Sequence, residues 1–274
     1  MVVGNGSSQI RKRLASMWLM LLFLAYGCAS ISHVTALRNA QDEFNAAAAL
    51  ENQSKLDPLS ADATILLNGQ SNASYRLVLN EVTKLIETQG QALQADNLLG
   101  TAYSLKALSE WRLREYEAAM RTTNEVEHAN VELLPRDKAI IAALGGLIKN
   151  DQAFAHMTLK DKSYKELKTL LSESVADINQ GQSQAPEGNG IHTYLSMAKL
   201  ASLKNWLDLF NKPNDFATEV PTGLNKLNEQ SEWCRSAQPA WESFVRQMDG
   251  LGTKESEATL AWWKKRLALP AACQ

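Results

Sequence analysis

Beyond about Ser32, apolar residues recur every three to four positions along almost the whole chain, and no stretch sustains the two-residue alternation of a half-buried strand. Ile140, Ile141, Leu144, Leu147 and Ile148 form one stripe, and Tyr164, Leu167, Leu171, Val175 and Ile178 a second. Ile191, Leu195, Ala198, Leu203, Trp206, Leu207 and Phe210 form a third, broader one. Helix starts are marked by Pro135 with Asp137 and by Thr253 with Ser256, and stops by Gly90, Gln180-Gly181 and Lys212-Pro213. The pattern predicts nine helices and a weaker tenth (60–68), at about 33–47, 60–68, 73–88, 93–113, 115–130, 136–150, 161–180, 191–211, 222–248 and 254–268. Helices of this length joined by short loops define an all-α fold: an array of antiparallel helical hairpins, closed as a bundle or stacked as a solenoid.

The first 27 residues follow different rules. Arg11-Lys12-Arg13 precedes an apolar run from Leu14 to Tyr26, too short for the roughly 20 residues of a spanning helix. A basic cluster before about a dozen apolar residues is the pattern of a secretory signal peptide, residues 1–27. The run ends Leu24-Ala25-Tyr26-Gly27-Cys28-Ala29-Ser30. Gly27-Cys28 resembles a bacterial lipoprotein signal, in which the cysteine becomes the acylated (palmitate-bearing) mature N-terminus. Ala25 and Tyr26 depart from the usual leucine and small residue. The resemblance implies attachment to the bilayer through Cys28, with stable anchoring by two or more acyl chains. Ala29 is not the aspartate that retains such proteins in the inner membrane, so the implied address is the outer membrane, facing the periplasm. With Cys28 acylated, Cys234 and Cys273 remain as an even pair in an oxidising compartment, and a disulfide between them is expected.

A second resemblance concerns the fold. Ala40, Phe44 and Ala47 have the small–aromatic–small spacing of the second helix of a tetratricopeptide repeat. Tyr103, Ala107, Tyr116 and Ala119 are similar to its first helix and turn, with Arg114 where a glycine is usual and Thr123 where an aromatic is usual. The alternatives are thus a degenerate repeat solenoid and an irregular bundle. The mature chain, 28–274, reads as a single all-α domain. The polar stretch Gln180 to Gly190 is a solvated loop that either lies on one array or divides it into lobes 30–180 and 191–274.

Composition narrows the function. The chain has 28 basic and 30 acidic side chains, and 45% of its 274 residues are hydrophobic. Without the signal segment 25 basic residues face 30 acidic ones, a net −5, which gives no electrostatic grip on nucleic acid. The four histidines, His33, His128, His156 and His192, are scattered. Glu125-x-x-His128 lacks the second copy that a di-iron bundle needs, and Ser196-x-x-Lys199 lacks the KTG and SDN companions of penicillin-binding enzymes. No metal site, cofactor or enzymatic activity is read from the chain. Gly145-Gly146, inside a strong helical pattern, signals either a ligand groove or close helix contact. Trp233, Trp241, Trp262 and Trp263 crowd the last 42 residues. Adjacent Trp262 and Trp263 project about 100° apart, so they face different surroundings. With Trp241 they are the candidate partner-binding residues, tryptophan being a common interface anchor.

Two functions fit. One is a membrane-anchored, non-enzymatic adaptor that holds another envelope protein, similar in layout to repeat-bearing lipoproteins serving outer-membrane assembly, secretion or pilus biogenesis. The other is a small-molecule-binding, transport-accessory module. Acylation makes a first prediction: Cys28→Ser should move the protein from the membrane fraction to the soluble fraction, and lipid mass should be present on the wild type alone. Equal membrane binding of both forms, with no lipid mass, would refute it.

Overall fold

The computed structural model describes residues 32–51, 61–128, 131–186, 188–211, 224–267 and 273. The segment expected to be a signal peptide, 1–27, and Cys28 lie outside these residues. Every regular element among them is helical: α1 (32–51), α2 (Ala61–Ala95), α3 (Leu99–Arg112), α4 (Tyr116–His128), α5 (Pro135–Leu159), α6 (Tyr164–Gln184), α7 (Gly190–Asn211), α8 (Leu224–Leu251) and α9 (Lys254–Leu267). They form two compact units, Met1–Glu132 and Leu133–Gln274. The 180–190 stretch lies inside the second unit. No helix among the described residues is long and apolar enough to cross a membrane.

In the first unit, neighbouring helices pack as antiparallel pairs around Leu37, Ala40, Val78, Val82, Leu85, Leu93, Ala102 and Leu105. The segments expected at 60–68 and 73–88 are one helix, and Gly90 is not its end. The backbone leaves helical geometry at Gln89 (φ −132°, ψ 19°), then resumes to Ala95. The break falls at Asn97, whose φ of +56° closes α2: Leu98 N–H donates to Leu93 C=O at 2.7 Å and Asn97 N–H to Gln94 C=O at 3.1 Å. Arg114 ends α3 by the same device, at φ +63°, with Glu115 N–H donating to Glu110 C=O at 2.8 Å. The left-handed conformation that a glycine would supply is therefore adopted here by arginine. Ala107 and Ala119 are fully buried, and small side chains there let α3 and α4 close on each other. Phe44 stacks on Tyr75 with ring centroids 5.2 Å apart. The Tyr75 hydroxyl donates to Glu51 at 2.9 Å, and Arg112 donates to the same carboxylate at 3.3 Å, so one acid joins α1, α2 and α3.

The second unit is built on the α5–α6 pair. Pro135 opens α5 at its first turn, and Asp137 beside it is buried. Ser163 and Glu166 form a capping box at the start of α6. The second expected stop, Gln180-Gly181, is helical, and α6 continues to Gln184. Gly181 is a packing position: a β-carbon on it would stand 2.5 Å from the Ala139 carbonyl oxygen and 2.5 Å from Ala143 Cβ. Gly146 is its counterpart on α5, where a β-carbon would meet the Ser174 carbonyl oxygen at 2.6 Å. Of the two readings of the glycine pair, close helix contact is the one found. Between the helices the Ser174 hydroxyl donates to the Gly146 carbonyl at 2.7 Å and lies 2.9 Å from the Ser202 hydroxyl of α7. The three stripes read from the sequence converge here, and all ten residues of the first two are buried.

Gly146→Ala and Gly181→Ala should each destabilise the protein in urea unfolding. Overpacking against backbone costs about 1–3 kcal/mol, more than the roughly 1 kcal/mol of helix propensity that alanine brings. Gly69→Ala is the control: nothing lies within 4 Å of its added carbon, so that helix should gain stability. Equal effects at all three positions would contradict the packing role.

Candidate functional site

The expected tryptophan cluster lies on the α8–α9 hairpin, and its members differ in role. Trp233 is core: it is buried, and its indole N–H donates to the Leu203 carbonyl of α7 at 2.9 Å. Trp241 is half-buried and tilts against Phe244, with centroids 6.1 Å apart. Gly252, at φ +58°, turns the chain into α9, which the reciprocal pair expected from the sequence then caps. Ser256 N–H donates to the Thr253 hydroxyl oxygen at 3.1 Å, and Thr253 N–H to the Ser256 hydroxyl oxygen at 3.2 Å.

On α9 the adjacent tryptophans diverge. Trp263 points inward and is 8% exposed, packed in the cluster that holds Leu203, Ala237, Phe244 and Leu267. Trp262 is half-buried, meets Trp263 edge-on at 5.0 Å, and carries the Arg266 guanidinium 3.9 Å above its ring. Trp262 and Arg266 are four residues apart, so the helix places them on one face. That spacing was legible in the sequence, but the stacking was not. Lys264, Lys265 and Arg266 are all exposed at the helix's C-terminus, where the macrodipole favours them.

Cys234 of α8 and Cys273 beyond α9 are placed as a disulfide, with Cα atoms 5.4 Å apart. The expected pairing is the one present. With the two cysteines 39 positions apart, the chain-entropy model assigns about 4 kcal/mol to the cross-link. It fastens the chain beyond α9 to α8. The disulfide also borders an open groove of about 630 Å³ along α8, lined among others by Leu227, Gln230, Arg235 and Gln238. Leu227, 61% exposed, offers an apolar contact at one end, and Pro239 lies within α8 beside the groove.

The start of α8 is held by a polar cluster that sequence reasoning missed. The buried Tyr164 hydroxyl donates a short hydrogen bond to Glu229. Lys168 donates to Glu232 at 2.9 Å and lies 3.3 Å from the other oxygen of Glu229. Burial, reinforced by the Glu229 carboxylate, pushes the Tyr164 phenol far above its ordinary range. Burial opposes the Lys168 ammonium, but its bond to Glu232 and the charge of Glu229 outweigh that and raise its pKa. No periodicity reveals such a cluster, because its members come from helices 65 residues apart.

The other motifs fall elsewhere. Ser196 is buried, accepts from the Gln182 amide at 2.7 Å and lies within hydrogen-bond reach of the His192 carbonyl and Gln247. Lys199 donates to Asn179 at 2.8 Å, and burial lowers its pKa. His128 is exposed and its Nδ1 lies 2.7 Å from the Asn124 carbonyl oxygen. His33 is buried, 2.8 Å from Asp96. His156 pairs with Asp161 at 2.8 Å on the rim of a second open groove, of about 660 Å³, between α5 and α6. Among the described residues no group of three or more His, Cys, Asp or Glu side chains is placed to hold a metal ion.

Comparison of the chain with protein-family models, with curated proteins and with solved structures returns no match.

The Tyr164 cluster gives the attachment of α8 a pH dependence. Both raised groups act in their protonated forms, so their stabilisation is complete below the unfolded-state values near 10 and is lost as pH rises above them. The thermal midpoint should therefore fall between about pH 9 and about pH 11.5, and Tyr164→Phe should make that fall shallower. An identical slope in the variant would show that the phenol takes no part.

Proposed function

We propose that this protein is a lipid-anchored, non-enzymatic adaptor of the bacterial envelope, facing the periplasm from the outer membrane and holding another envelope protein on its α8–α9 hairpin. The observation that carries the reading is the outer side of that hairpin, where a half-buried tryptophan supports an exposed arginine on α9, and a disulfide ties the chain beyond that helix to α8. An interface anchor works best when it is ordered before the partner arrives, because less side-chain entropy is then lost on binding. The α8 groove with exposed Leu227 lies on the same hairpin and offers an apolar neighbour. The anchoring half of the proposal rests on Gly27-Cys28 and the signal-like run before it.

The small-molecule alternative calls for a concave site that encloses most of its ligand. The grooves of the second unit are of suitable volume, near 630 and 660 Å³, but both lie open along helix surfaces. This favours a macromolecular partner.

Chemical crosslinking in intact envelopes followed by purification should recover one stoichiometric envelope protein. Trp262→Ala should reduce that capture several-fold with little loss of stability. Trp263→Ala should instead unfold more easily, by about 3–5 kcal/mol, since its ring is core. Capture of no envelope protein, or equal capture by wild type and Trp262→Ala, would refute the adaptor reading for this surface.

A further inference from the structure

The last turn of α9 places three consecutive cations, Lys264, Lys265 and Arg266, in solvent, and none makes an ion pair with a described residue. The chain as a whole carries more acid than base, so this is a local reversal of sign. The C-terminal macrodipole explains why cations are tolerated there. It does not explain why one of them lies over an aromatic ring. The Arg266 guanidinium lies 3.9 Å over the Trp262 ring, and that ring is itself held edge-on against the buried Trp263. The ring restrains the guanidinium while the arginine side chain stays exposed to solvent.

We infer that this turn is a docking site for an acidic polypeptide segment, with Arg266 gripping a carboxylate through paired N–H donors and Lys264 and Lys265 supplying flanking charge. The inference rests on the adaptor reading and specifies the chemistry of the partner. A guanidinium already ordered on an aromatic ring loses less entropy on pairing than a free lysine, and its fork matches a carboxylate bidentately. An anionic bilayer is the competing occupant, and two features weigh against it. Trp262 is half-buried beneath Arg266 rather than projecting to enter a lipid interface. The first turn of the same helix exposes Glu255 and Glu257, which an anionic surface lying along α9 would repel. A peptide segment can address the last turn alone.

The test uses the full exported chain carrying Cys28→Ser, so that no acyl chain binds vesicles on its own account. Its probes are a labelled peptide rich in glutamate and aspartate, a lysine-rich peptide of equal length, and vesicles containing phosphatidylglycerol. The acidic peptide alone should bind, with affinity falling about tenfold or more between about 50 and about 300 mM salt. Arg266→Lys keeps the charge but removes the fork, and should weaken binding about fivefold or more. Trp262→Leu should do the same by removing the ring. Arg266 is exposed, so its variant stays informative even if Trp262→Leu fails to fold. Wild-type affinity in Arg266→Lys, binding to vesicles but not to the acidic peptide, or no peptide binding would each overturn the inference. Crosslinked capture of an envelope protein that persists while the acidic peptide fails would sink this inference and leave the adaptor reading standing; loss of both would sink both.

Discussion

Hydrogen atoms stand where side chains would be at Gly146 and Gly181, and that absence sets how near α5 and α6 can come. At this separation the Ser174 hydroxyl reaches the Gly146 carbonyl across the interface, and the same hydroxyl meets Ser202 on α7. A single methyl at either glycine would stand within 2.6 Å of a backbone carbonyl oxygen, and that oxygen cannot swing aside as a flexible side chain can. The stripes Ile140–Ile148 and Tyr164–Ile178 are buried because this contact holds, and α7 packs on the surface the pair creates. Two glycines thus sacrifice helix propensity so that three helices can share one core.

From that base the second unit is extended by specific ties. Trp233 sends its indole N–H to a carbonyl of α7, so a large apolar ring is buried without stranding its polar atom. Tyr164 and Lys168 of α6 hold the first turns of α8 through Glu229 and Glu232. The terminal helix α9 contributes few buried residues of its own, Ser256, Trp263 and Leu267, and the disulfide supplies restraint beyond it. Most of its remaining residues are left to solvent, which makes it the element of this unit best able to meet another molecule. The first unit solves the same problem with a different tie, the Glu51 carboxylate shared by Tyr75 and Arg112.

The all-helical class, most helix positions and the caps at Pro135 and Thr253–Ser256 were legible in the sequence, because each depends on residues within a turn or two of one another. The same locality explains the misplaced boundaries. Gly90 and Gly181 look alike as residues, yet one adjoins a kink with open space around it and the other fills a contact with a neighbouring helix. Asn97 and Arg114 end their helices in left-handed conformations, although a glycine is the residue that usually marks such a position.

What the sequence determined by itself was the helical period, the even pair Cys234 and Cys273 expected once Cys28 is assigned to lipid, and the crowding of tryptophan near the C-terminus. Only the tertiary structure decided which tryptophan is core and which supports an arginine, since Trp262 and Trp263 are equivalent until a neighbouring helix covers one of them. Likewise, the sequence held Tyr164 and Glu229 as unrelated residues, and the fold brought them within a hydrogen bond. The physical reason is the same in both cases. Local backbone preference acts between residues a turn apart, whereas burial and long-range polar pairing depend on what the rest of the chain places alongside.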